Sequence, residues 1–144
     1  MHDYDTLNEL LVTTLKNISD QEARLLIKDD FHDITINDMH ILEAIGQKKP
    51  QNMSSVATTL QVTVGTLTIA INHLVKKGYV VRKRGEQDRR VVFLSLSDKG
   101  IMAFNKHTQF HKNMTLQITE NLSEQELELL MHALKKVSNI CEKE

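Results

Sequence analysis

The spacing of apolar residues switches once along this chain and then switches back, which restricts it to a narrow set of folds. Along a first segment reaching about Asp29, apolar side chains fall at Tyr4, Leu7, Leu11, Leu15, Ile18 and Leu25; along a second they fall at Ile36, Met39, Ile41, Leu42 and Ile45. Steps of three and four mark the stripe of an amphipathic helix. From Tyr79 the pattern becomes β-prone: Tyr79 to Lys83 and Arg90 to Leu96 read as antiparallel strands joined by a turn at Gly85 to Asp88. Helical spacing then resumes at Ile101, Phe104, Thr108, His111, Thr115, Ile118 and Leu122. The expected fold is mainly α with one small β-hairpin inside it. With no Trp, one Pro and 4% aromatic residues, the composition also favours helices over a β-sandwich or barrel.

Capping residues sharpen the boundaries. Thr35 and Asp38 have capping-box spacing before the second helix, with Asp in place of the preferred Glu or Gln, and Gly46 ends that helix. A polar loop, Gln47 to Gln51, follows. Asn52 caps a short helix from Met53 to Leu60, whose inner face is Val56, Ala57 and Leu60. Thr63 caps a fourth helix from Val64 to Lys77 with a buried set of Val64, Leu67, Ile71, Leu74 and Val75, stopped by Gly78. Ser97 caps a long helix reaching about Asn121. Ser123 and Glu126 form a second capping box before a last helix striped with Leu127, Leu130, Leu134, Val137 and Cys141.

Two short helices across a tight turn, followed by a cationic hairpin, are the order of a winged helix-turn-helix. The net charge of −1 alone does not suggest a polyanion partner, but the charge is segregated. Lys76 to Arg90 holds seven basic residues against two acidic ones, whereas Glu120 to Glu144 holds six acidic residues against three lysines. Binding double-stranded DNA needs a local cationic stripe, not a basic whole. On the fourth helix Gly65, Ile69, Asn72 and Lys76 project opposite the buried face, with Thr66 and Thr68 beside them. Gly65 allows close backbone approach, Thr63, Thr66, Thr68 and Asn72 offer hydrogen bonds, and Ile69 suits a thymine methyl. Lys76 is expected on phosphate, and Arg84, Arg89 and Arg90 on the hairpin. Arg89 is the candidate for a narrow minor groove, with Asp88 orienting a neighbouring arginine.

Other classes find little support. There is no apolar run of about 20 residues to span a bilayer, and the start, Met1 to Asp5, does not read as a signal peptide. The single cysteine, Cys141, excludes an internal disulfide framework, so a cytoplasmic setting is expected. No phosphate loop, nucleophile motif or acid–base constellation is visible, so no enzyme is expected.

Asp88-Arg89-Arg90, followed by Leu94-Ser95-Leu96-Ser97-Asp98-Lys99-Gly100, resembles the wing and exit signature of the MarR family of repressors, with Ser97 where Thr is usual. The resemblance covers the chain as a single domain, 1–144. It implies dimerisation helices over about 1–34 and 101–144 and a winged helix-turn-helix lobe over about 35–100. Val62-Thr63-Val64-Gly65-Thr66-Leu67-Thr68, Asn72, Lys77-Gly78-Tyr79, Glu86-Gln87-Asp88-Arg89-Arg90-Val91-Val92, Met39-His40 and Phe110-His111-Lys112 are similar to the FabT branch. That branch represses fatty-acid-synthesis genes and takes long-chain acyl-acyl-carrier protein as corepressor. The resemblance therefore implies a homodimer on a palindromic operator, with no required cofactor. An apolar effector pocket is expected around Ile34, Met39, Leu42, Met102, Phe104, Phe110 and Met114, whose methionines suit a flexible chain.

The rival reading is a zinc-responsive or other small-ligand-responsive repressor. His107 and His111, four residues apart on one helix, are the alternative metal ligands. Against this, no CxxC or carboxylate-rich cluster accompanies them, and His111 falls on the apolar stripe, where a hydrogen-bonded core histidine is expected. Cys141 continues the last helix's stripe and is read as packing, not as a thiol switch.

Overall fold

The computed structural model describes residues 3–28 and 30–142. The expected end of the first helix at Asp29 lies outside them, as do Met1 and His2. In order, the elements are α1 (Tyr4–Lys28), α2 (Ile36–Ile45), β1 (Gln51–Asn52), α3 (Met53–Leu60), α4 (Val64–Lys76), β2 (Val80–Arg84), β3 (Val92–Leu96), α5 (Asp98–Asn121) and α6 (Glu124–Cys141). They form two compact units, one up to His107 and one from Thr108.

The first unit holds the buried core. Met39, Leu42 and Ile45 of α2, Val56 and Ala57 of α3, Leu67, Ile71 and Leu74 of α4, and Leu94 of β3 are all removed from solvent. Each fully buried Val, Leu, Ile or Met side chain among them contributes about 1.5–3 kcal/mol. The Thr35–Asp38 box closes in both directions despite the Asp: Asp38 N donates to Thr35 Oγ1 at 3.1 Å and Thr35 N donates to Asp38 Oδ2 at 3.0 Å. The stripe of α1 behaves differently from an ordinary core stripe. Tyr4, Leu7, Leu11 and Leu15 are exposed in the single chain, and burial begins only toward Glu22 and Leu26.

The sheet has three strands in the order β1-β3-β2, all antiparallel, so the expected hairpin is extended by one strand. Gln51 pairs with Leu94 and Asn52 with Phe93, within a stretch that the sequence reads as loop and cap. Two residues are too few to display an alternating pattern. Asn52 also caps α3, its Oδ1 accepting from Ser55 N at 2.7 Å.

A polar knot fastens the sheet to the helices around it. Buried Tyr79 donates its hydroxyl to Asp33 Oδ1 at 2.5 Å, and Lys77 Nζ donates to the Asp33 carbonyl at 2.5 Å. Lys99 Nζ lies 3.8 Å from Asp33 Oδ2 and 4.5 Å from the centre of the Tyr79 ring. Burial acts to raise the Asp33 carboxyl, but the Tyr79 hydrogen bond and the charges of Lys99 and Lys77 outweigh it and hold the group below its ordinary range. Burial first, and then the bond to Asp33, push the Tyr79 phenol above its ordinary value. Ser97 caps α5 by accepting from Gly100 N at 3.1 Å, while its own hydroxyl donates to the Gly78 carbonyl. At Gly100 a Cβ would lie 2.2 Å from the Tyr79 carbonyl oxygen, so this crossing requires glycine.

In the second unit, the Ser123–Glu126 box closes at 2.8 and 3.2 Å, and the hydrogen bonds from Ser123 hold the Glu126 carboxyl below its ordinary range. No residue of α6 is buried: Leu129, Met131, Leu134, Val137 and Ile140 are exposed, and so is Cys141.

Candidate nucleic-acid interface

Helices α3 and α4 meet at 107° across the turn at Gln61 to Thr63, within the usual range for a helix-turn-helix pair. Gln61 takes the left-handed conformation, at φ 56°, that ends α3. Its N–H donates to the Thr58 carbonyl at 3.1 Å and Val62 N to Ala57 at 3.0 Å, so the final turn of α3 is satisfied without glycine. Thr63 then caps α4: its Oγ1 accepts from Thr66 N at 3.1 Å and donates to the Thr66 hydroxyl at 2.9 Å. The Thr66 hydroxyl keeps its own proton to donate outward.

Along α4, Leu67, Ile71 and Leu74 face the core, while Gly65, Thr66, Ile69, Asn72 and Lys76 are exposed. Ile69 is 64% exposed, a large apolar surface facing water in the single chain. Thr68 is half-buried and its hydroxyl donates to the Val64 carbonyl at 2.7 Å. Val64, expected inside, is 46% exposed. As the first residue of the helix it precedes the turn that packs inward, and it lines a cleft beside the wing.

The wing is β2, β3 and the turn between them. Gly85 N donates to the Val91 carbonyl at 2.8 Å, closing the turn. Asp88 Oδ1 accepts from Arg90 N at 3.0 Å and Nε at 3.2 Å, and Oδ2 from Nη2 at 3.3 Å. These bonds hold the Asp88 carboxyl below its ordinary range, so Asp88 orients Arg90. Arg84 Nη1 donates to the Arg89 carbonyl at 3.0 Å, bracing the tip from the strand side. On β2, Arg82 Nη1 donates to Asn72 Oδ1 of α4 at 2.5 Å.

Between α4 and the wing lies a cleft of about 780 Å³, lined by Asn52, Met53, Ser54, Val64, Thr68, Asn72, Arg82, Arg84, Arg90, Val91 and Val92. Three arginines and no carboxylate line it. Such a cleft suits a run of phosphates, with α4 placed for a groove and the wing for the flanking backbone. Arg82, Asn52 and Ser54 were not singled out by sequence. Arg82 belongs to the cationic stripe between Lys76 and Arg90, and the sequence shows Asn52 only as a helix cap.

The expected effector residues have diverse settings. Ile34, Met39 and Leu42 lie in the closed core of the first unit, and Met102 is 63% exposed. Phe104 lines a cavity of about 530 Å³ with Glu43 to Lys48 and Gln51. Phe110 and Met114 are half-buried in the second unit, where Phe110 makes an edge contact with His111 at 5.3 Å. Among the described residues the buried histidine is His107, one turn before the expected His111, which is half-buried. His107 Nε2 lies 3.1 Å from Glu22 Oε1, and its Nδ1 meets Glu43 Oε1. Because α5 packs through Gly100, Ala103 and His107, its inward face is rotated from the stripe of Ile101, Phe104 and His111.

A family model described as transcriptional regulator SarA/Rot matches residues 25–107. Among solved structures, the chain is similar to Streptococcus pneumoniae FabT in complex with DNA: TM-score 0.92, 38% identity, 98% of this chain and 99% of that one. AbsC, a MarR family transcriptional regulator from Streptomyces coelicolor, shares the fold at TM-score 0.74 and 20% identity, over 100% of this chain and 98% of that one. By sequence, the chain is 32% identical to the HTH-type transcriptional regulator SarZ of Staphylococcus haemolyticus, over 89% of this chain and 84% of that protein.

Proposed function

This chain belongs to the MarR family of winged-helix transcriptional regulators, and on that premise we propose that it is a repressor of fatty-acid-synthesis genes that binds a palindromic operator as a homodimer and takes long-chain acyl-acyl-carrier protein as corepressor. One observation carries the DNA-binding part: the acid-free cleft of Arg82, Arg84 and Arg90 beside the outward face of α4. The likeness to the FabT–DNA structure along nearly the whole chain supports assigning the repressor to that branch.

The homodimer draws support from the apolar surface that each unit leaves in water. In the first unit Tyr4, Leu7, Leu10, Leu11, Val12 and Leu15 crowd one end of α1; in the second, α6 exposes Leu129, Met131, Leu134, Val137 and Ile140. A soluble monomer rarely leaves so many large apolar side chains of one helix in water, and a symmetric copy is their simplest cover. An acyl chain acts as corepressor if it binds the DNA-competent spacing of the two lobes better than the alternative. The test is operator binding titrated with long-chain acyl-acyl-carrier protein and with the unacylated carrier. The acylated form tightens binding well beyond the bare carrier; equal effects of the two contradict the corepressor assignment.

A second reading, zinc response with His107 and His111 as the alternative ligands, has in its favour the Glu22 carboxylate beside Nε2 of buried His107 as a further oxygen ligand, with Glu43 at Nδ1 to orient the ring. Zinc titrated in the same assay tests it: tighter or weaker operator binding that His107→Ala and His111→Ala both abolish supports metal sensing, and indifference to zinc removes it.

A further inference from the structure

We propose that Arg82 is a positioning residue for base recognition: from the wing strand it fixes the amide of Asn72, so that Asn72 presents hydrogen-bond donors to the DNA and reads acceptor edges. This rests on the DNA-binding reading above and specifies how one of its contacts works. Arg82 sits on β2 opposite Leu94 of β3, in the middle of the paired stretch, so its backbone is fixed by the sheet. Its Nη1 reaches Asn72 Oδ1 at 2.5 Å. Asn72 is exposed on the outward face of α4, and both side chains line the arginine cleft.

The chemistry then settles the direction of the amide. A guanidinium carries only donors, so the atom it meets must be the carbonyl oxygen. An asparagine amide left to itself turns either way, and its two ends differ little in size. Here a charged donor, held by a strand, selects one orientation. A hydrogen bond to an ionised donor is about twice as strong as a neutral one, so the selection persists in water.

Free asparagine reads adenine with both ends, Oδ1 accepting from N6 and Nδ2 donating to N7. With Oδ1 turned toward Arg82, its second lone pair lies on the same side, beside a guanidinium that carries only donors, and the end of the amide left for the DNA is Nδ2 with its two N–H donors. In the major groove, guanine presents N7 and O6, both acceptors, and thymine presents O4; adenine sets its N7 acceptor beside an N6 donor that finds no partner here, and cytosine presents a donor alone. Asn72 thus favours guanine or thymine at its position. The same bond joins the wing to α4, so that backbone placement and base readout move together.

The experiment is selection of binding sites from a random duplex library by wild type, Arg82→Ala, Arg82→Lys and Asn72→Ala, with thermal melting as a fold control. Wild type prefers guanine or thymine at one position per half-site. Asn72→Ala loses that preference. Arg82→Ala shifts it toward adenine, by about 5- to 150-fold in relative affinity, the discrimination of one good base contact. Arg82→Lys, which keeps a charged donor, retains the wild-type preference. Should Arg82→Ala fold normally and weaken all sequences alike, without moving any base preference, Arg82 contacts phosphate alone and the proposal is overturned. A folded wild type that enriches no sequence would overturn the DNA-binding reading itself, and this inference with it.

Discussion

Replacing Gly65 with alanine should move stability and DNA affinity in opposite directions. Gly65 is the second residue of α4, after the Thr63 cap, and a Cβ built there meets only Thr63 Oγ1, at 3.9 Å, an ordinary contact. The backbone is not in the left-handed region that penalises side chains. The folded chain therefore accepts alanine, while the unfolded chain loses freedom, and the expected gain is about 0.4–1 kcal/mol. For a chain of this length that raises Tm by about 1–4 °C. If α4 enters the groove as proposed, the added methyl occupies space that a phosphate or base edge needs. Overpacking of one methyl in a tight contact costs about 1–3 kcal/mol, which is about 5- to 150-fold in Kd. Calorimetric melting and fluorescence anisotropy on an operator duplex measure the two effects. Unchanged affinity in a stabilised Gly65→Ala protein would refute the close approach; lowered stability would refute the packing argument.

Gly100→Ala should be severe for the opposite reason, since its Cβ would sit 2.2 Å from the Tyr79 carbonyl oxygen and 3.3 Å from Leu96 Cβ. Loss of about 1–3 kcal/mol is expected from overpacking of backbone against backbone, read as a lowered denaturant midpoint. The Tyr79 phenol is raised in the folded chain, so its contribution is full below pH 10 and is lost as pH climbs further. Tyr79→Phe should consequently show a shallower alkaline loss of stability than wild type in melts across that range. Arg89→Ala and Arg90→Ala should each weaken operator binding and reduce its salt dependence while leaving the melting temperature within a few degrees. Of the two, Arg90 is the one already oriented by Asp88.

The helix–helix–hairpin order and both capping boxes were legible because each is a local pattern with its own period or spacing. The short strand β1 was not, since Gln51 and Asn52 owe their strand conformation to Leu94 and Phe93, more than forty residues along the chain. The stripe of α1 was visible, but periodicity states only that a face is apolar. Whether that face meets the chain's own core or remains uncovered, as at Leu7 and Leu11, depends on the tertiary arrangement. On α5, small residues set the inward face: Gly100 and Ala103 allow close packing and carry His107 inside, whereas a count of large apolar residues selects His111. The outward face of α4 is legible from helical spacing, whereas Val64, expected inside, is exposed because it is the first residue of the helix. The partnership of Arg82 with Asn72 was out of reach, because it joins two elements whose separation in space no sequence pattern states.

Binding of the purified protein to a random duplex library, followed by a salt titration on the enriched sequence, tests the central claim most directly. Enrichment of an inverted repeat with half-sites centred about 10 base pairs, or about 34 Å, apart is the predicted result, with affinity falling steeply as salt rises because the arginine cleft displaces counterions. Enrichment of no sequence, or binding indifferent to salt, would contradict the assignment of α4 and the wing as a DNA-reading surface.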